Sequence, residues 1–533
     1  MENLSYQRKA TIMFAISTAM FFSSINQTIV GVALPRIIAK LGGMNYYTWV
    51  ITIYLLTSTI STILVGKLSD IYGRKPFILS GIVIFMTGAF FSGTSQDIIH
   101  LIIYRGIQGT GAGIIMATAF TAIGDLFSPR ERGRWIGVIS AVFGISSILG
   151  PGFGGYIVDH MDWHWVFWMF LPFGFLAFFM ILLLFPKTNR RKSESIDYPG
   201  SLFIVLTIVP MLLAFSWAGT KYPWDSSLIL ELFAFAIVSL ALFIFVETRV
   251  KTPLLPLSLF KNSVVSLSYA IGFMMHAGMF GALMYMPFYV QGVKGISATY
   301  AGYVTMPMSI GMFALNAYSG RRMTKTGKYK KMALIGMFTM VTGMLLMVVM
   351  NNIPMAAISM LIFGCGLGLG MPVFMIAVQN AVDSKDLGVA TASVQLFRNI
   401  GGTIGIAVLG TVLSTSMGTK IKALGGRLNL AGLEPAAIKK ISQLKNPQIL
   451  LDHPKLSAIQ NSLPESLHPV FTQLIEALRG AMAASLANVF LSILIVLILA
   501  FFLTFFLKEL PLRTTVHKSN SVNNIASKKE SVP

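Results

Sequence analysis

Arg105, His276 and Arg398 lie inside long apolar segments of the sequence, where an ionised side chain is expensive. Histidine titrates near neutral pH, so His276 is a candidate for binding and releasing a proton, although a histidine hydrogen-bonded between helices is the structural alternative. A buried arginine usually faces a polar cavity or a partner. Arg105 and Arg398 could therefore bind a negative group, unless they extend to the nearer bilayer interface.

Two amides lie in another apolar segment, in the stretch SSINQTIVGVALP at 23–35. Amides in such a setting can join helices by hydrogen bonds worth about 0.6–2 kcal/mol. We expect Asn26 to face a cavity and Gln27 to point elsewhere on the helix, with a purely structural role as the alternative. None of the 20 Asp and Glu residues is predicted near the middle of a cavity-lining span. A cavity with arginines and no carboxylate suits neutral, zwitterionic or anionic amphiphiles.

Membrane helices are the elements that must position these side chains. The chain has 533 residues, 55% of them hydrophobic and 11% charged, with a mean hydropathy of +0.72. About 20 apolar residues in a helix are enough to cross a bilayer. The runs of this kind predict an all-α membrane protein with fourteen spans, at 11–34, 47–67, 76–95, 99–124, 134–159, 163–186, 199–219, 226–247, 265–290, 300–320, 331–350, 354–380, 390–414 and 483–507.

The net charge of +21 comes from basic residues that cluster in alternate loops. This distribution follows the positive-inside rule and predicts that both termini are cytoplasmic, so nucleic acid is not needed to explain the charge. Cys365 is the single cysteine, which excludes an internal disulfide and a cysteine metal site. We find no GxxxxGK[ST] phosphate-binding stretch and no HExxH motif or nucleophile elbow. We therefore expect neither an ATP-driven pump nor an enzyme, and no metal or cofactor.

An internal repeat divides the chain into two halves. The segment GKLSDIYGRK at 66–75 and the segment GRRMTKTGKY at 320–329 share their glycine spacing, and each follows the second span of its half. Parallel repeats of six helices are a known transporter architecture. The predicted organisation begins with a six-helix bundle at 1–186 and two inserted helices at 187–262. The second bundle has its first five helices at 263–416 and its last span at 483–507. Between them lies a long extracellular loop at 417–482, with helical stretches near 434–444 and 464–479, and a cytoplasmic tail follows at 508–533.

Four segments together resemble the major facilitator superfamily, and in particular its fourteen-span drug:proton antiporters. They are GKLSDIYGRK after the second span, YRGIQGTGAG at 104–113, GDLFSPRERGRWIG at 124–137 and GISSILGPGFGG at 144–155. The resemblance covers nearly the whole chain. One departure concerns the first helix, where the family motif usually has an aspartate at the position of Asn26 and an asparagine at the position of Gly31.

The resemblance implies roles for two further sets of residues. The first set would form a conformational latch at the cytoplasmic helix ends, with ordinary loop charge as the alternative: Gly66, Asp70, Gly73, Arg74 and Lys75. The second set would form the antiporter motif of the fifth helix, with simple helix packing as the alternative: Gly144, Gly150, Pro151, Gly154 and Gly155.

The function that the resemblance implies is secondary-active efflux of amphiphilic drugs across the cell membrane, by proton antiport with alternating access. The implied partners are small amphiphilic substrates, protons and the lipid bilayer, and the expected state is a monomer. Two alternatives stay open at this point. The same fold could export an endogenous metabolite, lipid or siderophore, or it could serve as a transport-inactive sensor.

Overall fold

A computed structural model of the chain describes residues 5–43, 46–127, 129–186, 197–218, 222–250, 253, 255–383, 387–425, 450–451, 453–462, 464 and 467–510. Within these residues the regular structure is helical. The helices are α1 Tyr6–Leu41, α2 Tyr47–Tyr72, α3 Arg74–Ser92, α4 Ile98–Leu126, α5 Pro129–His160, α6 Trp165–Trp168, α7 Leu171–Leu184, α8 Tyr198–Trp217, α9 Ser227–Arg249, α10 Ser263–Phe288, α11 Ala298–Thr326, α12 Lys330–Val348, α13 Ile353–Ala381, α14 Leu387–Gly425, α15 His453–Asn461 and α16 His468–Phe505.

The helices agree with the predicted spans in position. Twelve of them, within the described residues and with α6 and α7 taken as one span, are long and apolar enough to cross a membrane. Helices α2 and α11 occupy the predicted second and tenth spans and are also long, at 26 and 29 residues. The all-α membrane fold is confirmed, whereas the count of fourteen membrane crossings stays a prediction.

The two halves repeat one packing pattern. In the first half α2 packs on α4, α3 packs on α4, and α1 packs on α5. The second half repeats these pairs as α11 on α13, α12 on α13, and α10 on α14. The halves meet along two seams, where α5 packs against α11 and α2 packs against α14. Helix α8, one of the two helices predicted to be an insertion, packs on α9 and also contacts α2 and α14.

Helix extends into both ends of the segment that the sequence predicts as a long loop. Helix α14 continues to Gly425, and α16 begins at His468, so the predicted helical stretch near 464–479 largely belongs to α16. Between them lies the short helix α15. The other predicted helical stretch, near 434–444, lies outside the described residues. Polar residues can remain helical beyond the bilayer, which is why hydropathy places the helix ends too early.

Candidate functional site

A cavity of ≈ 250 Å³ lies between the two halves. Helices α1, α2, α4 and α5 line it from the first half, and α10, α11, α13 and α14 line it from the second. Hydroxyl and amide side chains are mixed with aromatic rings and with the flexible thioethers of Met20, Met116, Met279, Met284, Met308, Met312 and Met371. Within the described lining there is no Asp or Glu, which agrees with the expectation from the sequence.

Arg105 lines this cavity and is held by neutral groups. Its Nη1 donates to the amide oxygens of Gln108, at 2.7 Å, and Asn26, at 3.3 Å. Its Nε donates to the carbonyl oxygen of Val50 at 3.4 Å, and the guanidinium carbon lies 4.1 Å from the ring centroid of Tyr54. The side chain is only 1% exposed. It does not extend to the outer interface, so the interfacial alternative is wrong for Arg105.

Asn26 lies behind the cavity instead of lining it, which corrects our expectation for this residue. It is fully buried, and its Oδ1 accepts hydrogen bonds from both Arg105 and Gln108, the latter at 2.9 Å. Its Nδ2 donates to the carbonyl oxygen of Val166 in a long hydrogen bond of 3.5 Å. Gln27, expected to point elsewhere, is the amide that lines the cavity. Asn26 turns inward because a buried amide needs partners, and α4 supplies them.

His276 lines the cavity from α10 and is 5% exposed. Its Nδ1 lies 3.1 Å from the carbonyl oxygen of Gly272, so the tautomer that carries the proton on Nδ1 donates to that oxygen. Nε2 has no hydrogen-bond partner in the part of the chain that the structure describes. The bond to Gly272 lies within α10 and does not join two helices, so the role of His276 stays a prediction.

Arg398 lies behind the cavity lining, which corrects its predicted place. It is 7% exposed and packs near Gly272, where an added Cβ would lie 3.6 Å from its Cγ. Its Nη2 donates to the carbonyl oxygen of Met371 at 2.7 Å, while its buried Nε has no partner among the described residues. This arginine therefore adds positive charge behind His276 without touching the cavity itself.

The glycines of α5 allow it to approach its neighbours closely. A Cβ added at Gly150 would lie 2.0 Å from Oγ1 of Thr28, and one at Gly154 would lie 2.6 Å from the carbonyl oxygen of Ile29. Because glycine has no side chain at these two positions, α5 can pack closely against α1. Gly155 does the same against α11, where an added Cβ would lie 2.2 Å from a backbone carbonyl oxygen.

The same helix contacts α11 through two more members of the motif. A Cβ added at Gly144 would lie 2.4 Å from the ring of Phe313, and one at Gly302 would lie 2.2 Å from the carbonyl oxygen of Pro151. The antiporter-motif residues therefore lie where α5 touches both α1 of its own half and α11 of the other half.

Asp159 joins the two halves at the end of α5 that is predicted to be extracellular. Its carboxylate accepts hydrogen bonds from the backbone N–H of Thr299, at 2.7 Å, and of Ala298, at 3.3 Å, and from Oγ1 of Thr299, at 2.6 Å. The guanidinium of Arg36 lies 3.9 Å away. A carboxylate beside the first turn of a helix is favourable because the helix N-terminus carries partial positive charge. Sequence reasoning placed no functional residue here.

Other contacts close the same outer end. The hydroxyl of Tyr47 donates to the carbonyl oxygen of Met284 at 3.0 Å, and Nε2 of Gln291 donates to that of Val32 at 3.2 Å. Each of these hydrogen bonds runs between the two halves. The cavity is therefore covered on its predicted extracellular side.

The predicted latch residues lie at the other ends of the helices. Gly73 separates α2 from α3 with φ +99°, a left-handed conformation that favours glycine. Arg74 is buried and donates to Oγ of Ser69 at 2.6 Å, while Nζ of Lys75 donates to the carbonyl oxygen of Leu182 at 2.7 Å. The surroundings of Gly66 and the side chain of Asp70 lie outside the described part, so the role of the set stays a prediction.

Comparisons with known proteins agree on one family. The family model described as "Major Facilitator Superfamily" matches residues 16–406. The "Multidrug transporter protein MdtP" of Bacillus subtilis is 39% identical over 504 residues, which cover 89% of this chain and 92% of that protein. The "Multidrug resistance protein 3" of the same organism is 31% identical, over 96% of this chain and 98% of that protein.

Solved structures share the fold at low sequence identity. A bacterial homologue of the human lysosomal transporter Spinster, in an inward-facing and unoccupied conformation, is 15% identical with a TM-score of 0.64, covering 95% of this chain and 100% of that one. A D-xylose-proton symporter is 14% identical with a TM-score of 0.55, covering 76% of this chain and 90% of that one. At these identities the similarity concerns the fold alone.

Proposed function

This chain belongs to the major facilitator superfamily and is a multi-pass membrane transporter, and from that premise we propose that it exports amphiphilic compounds across the cell membrane in exchange for protons. The observation that carries the proposal is the cavity between the halves, which is lined by both apolar and polar groups and is covered at its outer end. The names of the two Bacillus relatives support efflux of drugs rather than uptake of a nutrient.

Alternating access would follow from rocking of the two halves about the cavity. In the state described here, the hydrogen bond that Asp159 accepts from Thr299 and the one that Tyr47 donates to Met284 join the halves at the outer ends. These bonds would have to break before the cavity could open outward, while the predicted latch at 66–75 would hold the opposite state. The close glycine contacts of α5 would let the halves move while remaining in contact.

His276 is our candidate for the coupled proton. It lines the cavity, and its Nε2 is unpaired within the described residues. Among the described lining residues no carboxylate could take this role, and the family's usual acidic residue is replaced by Asn26. We place both termini in the cytoplasm and propose that a monomer is sufficient for transport.

Inverted membrane vesicles provide the test. A pH gradient imposed without ATP should drive uptake of an amphiphilic dye into vesicles that contain the protein, and an uncoupler should abolish it. Vesicles prepared from the same host without the protein are the control for leak. Uptake that requires ATP and ignores the uncoupler would refute the proposal, and the absence of any gradient-driven uptake across a panel of dyes would favour the sensor alternative.

A further inference from the structure

We propose that the cavity selects amphiphiles that carry one anionic head group, and that Arg105 binds that group. The inference rests on the proposed function, because it names the substrate class of the same cavity. It is based on the observation that Arg105 lines the cavity and that its neighbours in the described structure are all uncharged.

The environment of Arg105 fixes its position without neutralising its charge. Amide oxygens of Asn26 and Gln108 and a backbone carbonyl accept its hydrogen bonds, and Tyr54 covers one face. These groups are dipoles, so the net charge of the guanidinium remains in a site that is 1% exposed. A buried charge without a counter-ion is strongly unfavourable, and an anion entering the cavity would remove much of that cost.

One side of the guanidinium is still available for a ligand. Nη1 and Nε donate to protein oxygens, but Nη2 has no hydrogen-bond partner among the described residues. The guanidinium is well suited to planar oxyanions because its donors form a rigid fork. A carboxylate or sulfonate is therefore the chemistry that would complete this site.

A cationic ligand would meet the opposite conditions. The described lining offers no carboxylate, and Arg398 adds a second buried positive charge behind His276 and Gly272. A lipophilic cation would have to share a low-dielectric space with these charges and receive no ion pair in return. The methionine and aromatic side chains of the lining fit a hydrophobic body of variable shape, so selectivity would come from the head group.

The test uses three probes that differ only in the head group. Each is a dansyl-labelled undecyl chain, ending in a carboxylate, a primary amide or a trimethylammonium group. Binding is measured by fluorescence titration of the purified protein in phosphatidylcholine nanodiscs near neutral pH, with empty nanodiscs to subtract partition into lipid. We expect the carboxylate to bind about 10-fold tighter than the amide, since hydrogen bonds to charged groups are roughly twice as strong as neutral ones. The trimethylammonium probe should bind most weakly.

Three variants separate the charge from the side chain that carries it. In Arg105→Gln the carboxylate and the amide should bind equally, whereas Arg105→Lys should keep a preference for the carboxylate. In Asn26→Asp the arginine remains but gains a permanent counter-ion at the 3.3 Å contact, so the carboxylate preference should also disappear. The matched control is Arg249→Gln, which removes an exposed positive charge at the end of α9, outside the cavity lining, and should keep the wild-type order.

The possible results lead to distinct conclusions. Equal or tighter binding of the trimethylammonium probe by the wild type would overturn the inference, even if the Arg105→Gln protein does not fold. A wild-type order of affinities that persists in Arg105→Gln and Asn26→Asp would overturn it as well. Pronounced carboxylate preference in binding, combined with no gradient-driven transport of any probe, would refute the proposed function and leave the assignment of the site intact.

Discussion

Replacing Asp159 with asparagine should shift the protein towards a state that is open at the outer end. The carboxylate accepts three hydrogen bonds from the N-terminus of α11, at 2.6, 2.7 and 3.3 Å, and these bonds join the two halves. Asparagine keeps one oxygen of similar position but loses the charge and the second acceptor. The change should therefore weaken the closed outer end without disturbing the packing of α5.

The expected magnitude follows from the number and kind of bonds. A hydrogen bond to a charged group contributes about 1.5–3 kcal/mol and a neutral one about 0.5–1.5 kcal/mol, so each retained bond weakens by about 1 kcal/mol. The bond that loses its acceptor disappears, and the ion pair with Arg36, whose side chains are only 21% and 10% exposed, is lost with the charge. Without the Arg36 pair, two retained bonds that each weaken by about 1 kcal/mol and one lost bond of about 1.5–3 kcal/mol give about 3.5–5 kcal/mol, which changes the ratio of the two states by about 400- to 5,000-fold.

Distances between spin labels at the outer ends of the two halves can measure this shift. Gln96 and Val349 are exposed, belong to different halves, and can be changed to cysteine after Cys365→Ser removes the single native thiol. In Asp159→Asn the population with the longer distance should grow. The control is Asp162→Asn, because Asp162 pairs with Lys40 of its own half at 3.2 Å. Unchanged distances in Asp159→Asn, or an equal change in Asp162→Asn, would refute the reasoning.

Three further predictions follow from the site and the motifs. The glutamine of His276→Gln cannot titrate, so pH-driven transport should be lost while substrate binding persists. If transport by this variant keeps the pH dependence of the wild type, His276 has only a structural role. Gly150→Ala places a methyl group 2.0 Å from Oγ1 of Thr28 and should lower the free energy of unfolding by about 1–3 kcal/mol through overpacking. The control is Gly152→Ala on the same helix, whose added methyl group meets its nearest atom at 3.5 Å and should not destabilise the protein. Equal melting temperatures of the two variants would contradict this prediction. Asp70→Asn should lower turnover but spare the dissociation constant, and a parallel loss of both would exclude a latch.

The sequence predicted the helices well because each of them must be apolar over a length set by the bilayer. Their ends were less predictable, as α14 shows by continuing to Gly425. Hydropathy marks where a helix leaves the lipid, whereas hydrogen bonding within the helix continues into polar sequence. The positions of Arg105 and His276 beside the cavity could be predicted for a related reason, because an ionisable group within a membrane span needs polar surroundings.

Sequence reasoning could not decide which face of α1 points into the cavity. Neighbouring residues on a helix differ by about 100° in direction, so the sequence had to identify which of Asn26 and Gln27 lies closer to the cavity side. The helix is apolar nearly all round, and its hydrophobic pattern gives no preferred face. A signal was nevertheless present in α4, because Gln108 lies three residues after Arg105 and on the same side of that helix. The pair marks the polar cluster that draws Asn26 away from the cavity.

The inserted helix α8 has a mechanical consequence if the two halves rock. It contacts α2 of the first half and α14 of the second, so one of these surfaces must slide when the cavity changes its opening. On α14 a hydrogen bond of 2.8 Å runs from Oγ1 of Thr411 to the carbonyl oxygen of Phe215. Between α8 and α2 lie aliphatic side chains such as Leu56 and Ile208, which can shear past one another at little cost. The inserted pair should therefore move with the second half, and the sliding surface of the transport cycle should lie along α2.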